Sequence, residues 1–540
     1  MKQHSIARAA VTAGLTIAMS LGGALGPATM AFAAANDGQV TITKRADNDN
    51  TTLQGYQIFK ADVADKDDGS KVASNLEWAS DQVQADVQTA TGKNFSSAQE
   101  AADYLATLST SGSGYILANS DVLNTIANTL RNDARITPTT VTPGTASTGM
   151  STGYWLFVTS KDSTNNTDMA SKVDQTGTSP IFAIVGGNAL TINQKATIPT
   201  VDKFVKNDKS GSDWGKVADS EVGQELNYKL VGTVADNVST YDTYYYKFTD
   251  TLSAGLTADV NSVVVKIQNG TDESEITTGF TKNLDDNTDG TSKLSVEFTD
   301  LKAAAKTAGI TLDSNSKVNV YYNAKLDASK AYKVASEDNP NEVKLTYSNN
   351  PNTDSKGDTT THKVTDYTYK LAIAKVDSAE PTKKLQGAEF TIQATGADEG
   401  TSTKYVQSDG TLGDTAYVFK TDVNGEISVK GLDAGTYTVS ETTAPAGYNT
   451  VADFTFTIDP TWNDDATALK EVTVSDNSES VDSSFSTTSK QVELTVKDKA
   501  GHGLPLTGQA GVTITWVAGG VVLAFGVSRV IRNRRENDAE

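Results

Sequence analysis

The 540-residue sequence contains no cysteine, so no disulfide can stabilise its folded parts. Exported proteins often depend on such cross-links. The absence of a thiol also excludes enzymes that attack their substrates through cysteine. Histidine is nearly absent as well, since His4, His362 and His502 are the only three. A Ser–His–Asp triad or a His-rich zinc site therefore lacks its residues, and the sequence predicts no metal and no cofactor.

Basic residues are outnumbered by acidic ones, 46 to 67, which gives a formal net charge of −21. Such a surface repels nucleic-acid phosphates, so nucleic acid is excluded as a partner. Hydrophobic residues make up 37% of the chain, which is enough for packed cores. Gly, Thr, Ser, Asp and Asn crowd the intervals between apolar runs, and this texture predicts many short strands joined by polar turns.

The N-terminus has the pattern of a secretory leader. Residues 2–8 carry positive charge, the apolar run Val11–Leu25 follows, and small residues come next. This order predicts a signal peptide over residues 1–35, cleaved after Ala33 or Ala35. A membrane anchor is the alternative, but the apolar run is short and ends in a cleavable site.

The C-terminus contains a five-residue motif, an apolar run at 512–528 and a basic tail. The motif is Leu504, Pro505, Leu506, Thr507 and Gly508. In this order the three pieces resemble the cell-wall sorting signal of Gram-positive surface proteins, here over residues 501–540. The resemblance implies that a sortase cleaves the bond after Thr507 and passes the threonyl group to an amine. A plain membrane-tethered tail would leave the motif unexplained.

Three segments lie between these signals, at residues 36–196, 197–365 and 366–500. The second and third are dominated by period-two alternation, as at 262–268 and 318–322, which indicates β-sandwiches. The sequence therefore predicts an all-β chain of tandem immunoglobulin-like sandwiches arranged end to end as a rod.

The first segment mixes two kinds of pattern. Strand signals occur at 40–42, 154–158 and 181–185, whereas 101–108 and 122–130 have helical periodicity. We therefore expect short helical inserts in this N-terminal domain.

The third segment contains three marked stretches: Leu371–Asp377, Gly435–Tyr448 and Val492–Asp498. Together they resemble the collagen-adhesin B-type, prealbumin-like domain of surface proteins and pilins. The Glu-x-x-Ala-Pro-x-Gly-Tyr run in the second stretch resembles the pilin E-box. The resemblance implies an isopeptide bond between Lys375 and Asp498, with Glu441 as its catalyst. Asn is the usual partner in pilins, so bond formation on Asp498 would release water instead of ammonia.

The chemistry of such a bond follows from burial. An amine attacks a carboxyl or amide only when neutral, and burial lowers a lysine pKa toward that state. Burial raises a glutamate pKa, so a protonated Glu441 can polarise the carbonyl and shuttle protons. Folding holds the reactants in near-attack geometry and so removes much of the entropic barrier. The alternative is that Lys375 and Glu441 are ordinary surface residues.

The second segment contains a similar set of stretches: Thr200–Val205, Tyr246–Leu256 and Asn341–Pro351. They resemble the isopeptide-forming middle domain of shaft pilins. This implies Lys203 as nucleophile, Asp250 as acid and Asn341 as the amide that loses ammonia. Lys206 is the rival nucleophile, and strand alternation places it on the face opposite Lys203. A turn after Asn339-Pro340 is the alternative role for Asn341.

Each bond is expected to join the first strand of its domain to the last. By analogy with a disulfide of similar span, each would stabilise its domain by roughly 4–5 kcal/mol. Two such bonds would compensate for the missing cysteines.

The same resemblance implies an acceptor lysine at the junction of the first two segments. Lys195, in the run Thr191–Pro199, is the predicted acceptor of Thr507 from the neighbouring subunit. The pilin motif Tyr-Pro-Lys-Asn is not present around it, so Lys206 and Lys209 are alternative acceptors. A head-to-tail contact repeated without closure gives a filament.

The sequence therefore predicts the structural shaft subunit of a sortase-assembled pilus, secreted and anchored to a Gram-positive cell wall. Expected partners are pilin-specific and housekeeping sortases, identical subunits, minor tip or base pilins, peptidoglycan and host surface ligands. A monomeric wall-anchored adhesin, which needs only the sorting motif, is the alternative. The sequence offers no catalytic set for a wall-anchored enzyme beyond the two self-directed ones.

Overall fold

The computed structural model describes residues 37–44, 51–67, 70–108, 114–118, 120–160, 176–194, 197–207, 212–334, 339–395 and 404–501. The predicted leader, the sorting motif with its apolar run, and Lys195 lie outside these ranges. Within them, no helix is long and apolar enough to cross a membrane.

The N-terminal unit, residues 38–192, is built on two sheets. In spatial order, the larger sheet contains Lys71–Trp78, Leu53–Asp65, Gly153–Thr159, Ile181–Val185 and Tyr115–Leu117, with Thr139–Val141 paired to Leu53–Asp65. The smaller sheet contains Ser147–Met150, Gly38–Ile42 and Leu190–Ile192. The strands predicted from the sequence in this unit are therefore present.

Helices cover one face of the larger sheet, over the residues Asp81–Thr91, Ala98–Thr107 and Asp121–Asn132. Each begins after a serine whose hydroxyl accepts a backbone N–H three residues on: Ser80, Ser97 and Ser120. These side chains satisfy donors that the first turn leaves without a partner in the helix. The second and third helices confirm the two predicted inserts, whereas the sequence interpretation missed the first helix.

The middle sandwich, residues 197–367, packs two sheets face to face, and all strand pairs are antiparallel except Val217–Asp219 with His362–Tyr367. One contains, in spatial order, Trp214–Gly215, Val201–Lys206, Glu225–Thr233, Lys317–Leu326, Leu256–Asn269 and Asp272–Ile276. The other contains Val217–Asp219, His362–Tyr367, Asn339–Ser348, Tyr246–Leu252, Ser292–Phe298 and Thr281–Asp286, with Lys356–Asp358 paired to Asn339–Ser348. A 3₁₀ turn, Val238–Thr240, and a short helix, Leu301–Thr307, connect strands.

The C-terminal sandwich, residues 369–501, also has two sheets. The first contains, in spatial order, Glu426–Leu432, Tyr369–Asp377, Gln491–Asp498 and Val481–Ser486. The second contains Leu412–Gly413, Lys404–Val406, Glu389–Ala394, Gly435–Thr443, Phe454–Trp462 and Leu469–Asp476, with Phe419–Lys420 paired to Glu389–Ala394. The entering strand Tyr369–Asp377 and the leaving strand Gln491–Asp498 are parallel neighbours.

Alternation along the strands decides which side chains reach each core. In Tyr369–Asp377 the odd-numbered residues from Tyr369 to Lys375 are buried, and the even-numbered ones between them are only partly covered. In Val201–Lys206 the buried positions are 201, 203 and 205. A lysine therefore occupies an inward position in the first strand of each sandwich, as period-two geometry requires.

Hydrogen bonds join successive units. The Asn237 side chain donates to the Gly177 carbonyl at 3.0 Å, and the Arg131 guanidinium donates to the Asn352 carbonyl. Between the two sandwiches, the Val222 N–H donates to the Gly431 carbonyl at 3.0 Å. The three units are thus in direct contact along the chain.

Candidate functional sites

The middle sandwich places the three predicted reacting residues together between its two sheets. Lys203 comes from one sheet, and Asp250 and Asn341 come from neighbouring strands of the other. None of the three side chains has exposed surface. A cluster of this composition in a core is unusual, because lysine and aspartate are almost never fully buried without a partner.

A fourth side chain connects the three. Tyr322 lies on the strand Lys317–Leu326, and its hydroxyl accepts a hydrogen bond from Lys203 Nζ at 3.0 Å. The same oxygen accepts from Asn341 Nδ2 at 2.7 Å and donates to Asp250 Oδ2. Lys203 Nζ also contacts Asp250 Oδ1. The nucleophile and the amide are therefore held on a common oxygen atom.

Burial shifts the protonation equilibria of this cluster toward neutral groups. It lowers the pKa of Lys203 to about 8, although the Asp250 carboxylate opposes the change. Burial also raises the pKa of Asp250, against the effect of Lys203. Desolvation disfavours the charged form of both partners, so a neutral amine facing a protonated acid becomes accessible. This is the state in which an amine can attack.

The C-terminal sandwich brings its own predicted trio together. Lys375 Nζ contacts Asp498 Oδ1 and lies 2.9 Å from Glu441 Oε1. All three side chains have no exposed surface, and Glu441 Oε2 is held by the Val451 N–H at 2.8 Å. The register explains the contact, because Lys375 pairs with Val496 and Asp498 follows two residues later on the same face.

Burial in this trio acts on the Asp498 carboxyl. Burial raises the pKa of its carboxyl to about 6, against the opposing effect of Lys375. Its second oxygen, Oδ2, is buried and has no hydrogen-bond partner among the described residues. A carboxyl that is partly protonated near neutral pH can lose one oxygen as water, whereas a carboxylate resists attack by an amine.

The structure decides between alternatives that the sequence left open. Lys206 is exposed, whereas Lys203 points inward, so Lys203 is the lysine that meets Asp250. Asn341 lies in the strand Asn339–Ser348 with a fully buried side chain, and the turn interpretation is wrong. Lys375 and Glu441 are not surface residues.

One expectation about the middle sandwich is incorrect. Asn341 was expected on the last strand, but Lys356–Asp358 and His362–Tyr367 follow it and complete the sheet. The predicted bond would join the first strand to an internal strand of the opposite sheet. Apolar and polar residues alternate too weakly between 351 and 365 to predict these strands. In the C-terminal sandwich the expectation is confirmed, because Lys375 and Asp498 lie on the first and last strands.

Tyr322 was missed as a site residue, although a signal for it exists. It occupies an inward position of the alternating run 318–322, beside Val318 and Val320. A tyrosine at such a position buries its hydroxyl, and a buried hydroxyl usually finds a polar partner. The sequence cannot indicate which partner, because the residues that it contacts come from distant strands.

The comparisons with known proteins agree with this architecture. Residues 369–477 match the SpaA family model, described as a prealbumin-like fold domain. No match to the chain is found among the curated proteins.

Solved structures of pilins resemble large parts of the chain. The T6 backbone pilin of serotype M6 Streptococcus pyogenes, described as a modular three-domain structure, is 17% identical over 87% of this chain and 100% of its own, with a TM-score of 0.50. The full-length major pilin SpaD from Corynebacterium diphtheriae is 16% identical over 86% and 98%, with a TM-score of 0.45. A C-terminal fragment of the major pilin GBS80 of Streptococcus agalactiae is 24% identical over 48% and 90%, with a TM-score of 0.37.

These likenesses define the class of fold. Residues 369–477 of the C-terminal sandwich match the prealbumin-like fold of the SpaA model. The chain as a whole has the tandem β-sandwich fold of a three-domain backbone pilin.

Proposed function

We propose that the chain is the structural shaft subunit of a covalently polymerised, sortase-assembled pilus that supports adhesion of a Gram-positive bacterium. The observation that carries the proposal is the pair of buried lysine–acid clusters, one in each sandwich of a cysteine-free chain with a backbone-pilin fold. Covalent cross-links built from such clusters would give a shaft the strength that disulfides cannot supply here.

Each cluster is suited to one self-directed condensation. In the middle sandwich, the neutral Lys203 amine attacks the Asn341 side-chain carbonyl and ammonia leaves, with Asp250 as acid. In the C-terminal sandwich, Lys375 attacks the Asp498 carboxyl and water leaves, with Glu441 as catalyst. The chain is otherwise a substrate: a sortase cleaves after Thr507 and transfers the threonyl group to Lys195 of the next subunit. Both residues lie outside the described residues.

We infer the domain plan from the sequence signals and the sheets together. A signal peptide covers residues 1–35, an N-terminal domain 36–196, a middle domain 197–365, a C-terminal domain 366–500, and a sorting signal the remainder. The mature protein would then be exported, polymerised and attached to peptidoglycan. Its partners would be pilin-specific and housekeeping sortases, identical subunits, and minor tip or base pilins.

Intact mass spectrometry of the secreted chain, made in cells without sortase, tests the core of the proposal. The mass should lie below the unmodified value by about 17 Da for the ammonia and about 18 Da for the water, as two condensations require. A mass equal to that of the unmodified mature sequence would exclude both bonds. If the mass is lower by only one of these two amounts, the missing amount identifies the cluster that does not form its bond.

A monomeric wall-anchored adhesin would carry the same internal bonds and the same sorting motif. The sodium dodecyl sulfate gel of wall extracts separates the two functions. A shaft subunit gives a ladder of high-mass species that resists boiling in detergent, whereas a monomeric adhesin gives a single species released from peptidoglycan.

A further inference from the structure

Among the residues that the structure describes, Tyr322 is the side chain that contacts every predicted reacting group of the middle sandwich. Its hydroxyl bonds the amine of Lys203, the amide nitrogen of Asn341 and the second oxygen of Asp250. Its ring is fully packed in the core, so the hydroxyl has little freedom to leave this position. The arrangement is therefore a fixed chain of hydrogen bonds from acid to leaving group.

Asp250 does not reach the leaving group itself. Its oxygens contact Lys203 Nζ and the Tyr322 hydroxyl, and among the described residues Asn341 Nδ2 bonds only to Tyr322. An amide nitrogen leaves readily only as ammonia, so it must gain a proton as the C–N bond breaks. In this geometry the proton can come from Asp250 only through the tyrosine.

We propose that the Tyr322 hydroxyl is the proton relay that delivers the proton of Asp250 to the departing nitrogen of Asn341. The inference rests on the proposed isopeptide reaction and adds a catalytic residue to it. Transfer by a positioned hydroxyl avoids a free ion at the tyrosine, because the oxygen gives up one proton while it receives another.

The reaction then balances. At the outset Asp250 holds the proton that the Lys203 ammonium has released. Lys203 Nζ forms a bond to Asn341 Cγ, and the bond from Cγ to Nδ2 breaks. Nδ2 gains a free lone pair in the tetrahedral adduct, and with Asp250 protonated on Oδ2 the two hydrogen bonds of Tyr322 reverse direction. Asp250 Oδ2 then passes its proton to Tyr322, Tyr322 passes its own to Nδ2, and Asp250 Oδ1 takes the surplus proton from Nζ. Ammonia leaves, and Asp250 and Tyr322 end in the protonation states in which they began.

Electrostatics agree with a relay. Burial raises the pKa of Tyr322 well above its ordinary value, and the neighbouring Asp250 adds to the effect. A stable phenolate is thus disfavoured, and the residue is suited to pass protons and not to hold a charge. Tyr322 lies in the middle sandwich, so the C-terminal cluster does not depend on its hydroxyl.

The test follows the two cross-links separately in one chain. The full-length protein is made by cell-free synthesis with a short pulse of labelled amino acids, and samples are digested after increasing times. Mass spectrometry then quantifies the Lys203–Asn341 and Lys375–Asp498 cross-linked peptides. In Tyr322→Phe the first cross-link should form at least about 100-fold more slowly, the usual effect of losing general acid catalysis. The second should form at the wild-type rate.

Tyr228→Phe is the matched control. The Tyr228 ring stacks on that of Tyr322 with centroids 5.3 Å apart, and its buried hydroxyl has no hydrogen-bond partner among the described residues. This variant also loses a buried hydroxyl from the same core, yet it should form both cross-links at the wild-type rate. Equal slowing in the two variants would attribute the effect to packing and would overturn the relay.

Other outcomes separate the relay from the proposed function. If the wild type never forms the Lys203–Asn341 peptide, the proposed bond itself is wrong. If the wild type forms it and Tyr322→Phe matches its rate, only the relay is wrong. Sensitivity of Tyr322→Phe to protease would show that this variant is misfolded. In that case 3,5-difluorotyrosine at position 322 replaces it, because this residue keeps the ring and the hydroxyl but has a more acidic phenol. The relay then predicts a shifted pH dependence of the rate, and an unchanged profile overturns it.

Discussion

Lysine is among the residues least often found in protein cores, yet Lys203 and Lys375 have no exposed surface. A buried ion pair gains little net stability, because desolvation of the two charges offsets their attraction. Conversion of the amine into an amide removes the charge altogether. The proposed bonds therefore relieve the desolvation cost that folding imposes on each lysine, and this relief favours the forward reaction.

Removal of the proposed catalyst tests the C-terminal cluster. Glu441→Ala should leave Lys375 and Asp498 unlinked. After correction for the substitution itself, the mass of the variant should therefore exceed that of the wild type by one water. The loss of a cross-link that spans 123 residues should destabilise the sandwich by roughly 4–5 kcal/mol, which thermal unfolding measures.

Glu389→Ala is the control for this variant. Glu389 lies on an adjacent strand and pairs with Lys420 at the surface, at 2.9 Å, so its loss should leave the water deficit in place. A Glu441→Ala protein that still lacks the water would contradict the assignment of the catalyst.

The raised pKa of Asp498 predicts an unusual pH dependence once its lysine is removed. In Lys375→Met no bond can form, and the opposing effect of Lys375 on the pKa is lost, so the folded-state pKa rises beyond about 6. The unfolded chain has a carboxyl pKa of about 3.9. Because the folded state then binds the proton more tightly, stability is retained at low pH and falls as pH rises from about 4 through the folded pKa.

Calorimetry at pH 5 and pH 8 measures this effect. The C-terminal sandwich of Lys375→Met should unfold at a higher temperature at pH 5. The double variant Lys375→Met/Asp498→Asn removes the titrating group and should lose most of the difference. An equal difference in both variants would assign the pH dependence to other residues.

Strand alternation, a local property, predicted that Lys203 and Lys206 lie on opposite faces, and the motif match selected Lys203 as the inward one. The sequence also supplied Asp250, Asn341, Glu441 and Asp498 through motifs. In the structure the three acids contact their expected lysines, and Asn341 is joined to Lys203 through the Tyr322 hydroxyl. The sequence could not predict Tyr322 as a common contact, because that contact depends on how two sheets face each other across the core.

Among the elements, the strands were the easier prediction and the first helix the harder one. In Asp81–Thr91 the residues Val83, Ala85 and Val87 alternate with polar neighbours, as they would in a strand. Tertiary context favours the helix: Ser80 caps it, and Val83 and Val87, four residues apart, pack on one face against the core. Short amphipathic segments of this kind satisfy both periodicities, so their local pattern cannot decide between them.

The helix Asp121–Asn132 provides the clearest contact between the N-terminal unit and the middle sandwich. Arg131 is buried, and its guanidinium donates to the Asn352 carbonyl in the loop 349–355. Burial lowers its pKa to about 10, so the side chain remains charged at neutral pH. Hydrogen bonds from charged groups contribute about 1.5–3 kcal/mol each.

Arg131→Met should therefore loosen the loop without affecting either cross-link. We expect faster amide hydrogen exchange in residues 349–355 and unchanged mass losses in both sandwiches. Arg135→Met is the control, because Arg135 is largely exposed and pairs locally with Asp133. If exchange in this loop is the same in Arg131→Met as in the wild type, Arg131 does not hold the two units together.

At the scale of the whole molecule, the proposed polymerisation would depend on the junction between the first two domains. Lys195→Arg preserves the charge but removes the amine chemistry, so polymers should disappear while wall-anchored monomer remains. Immunoblots of wall extracts measure both species. Lys206→Ala is the control, since that exposed lysine is the rival acceptor. A normal ladder from Lys195→Arg would refute the assignment of Lys195 as the acceptor. If polymers are lost only in Lys206→Ala, Lys206 is the acceptor instead.

The parallel neighbours Tyr369–Asp377 and Gln491–Asp498 also determine how tension acts on the C-terminal sandwich. A pull on the two ends of the chain slides these strands lengthwise past each other, so their hydrogen bonds are loaded in shear together and not broken one at a time. In the middle sandwich, the first strand Val201–Lys206 and the last strand His362–Tyr367 lie in opposite sheets with no ladder between them. A chain lacking both cross-links should therefore yield first in the middle sandwich, whose sheets can be pulled apart.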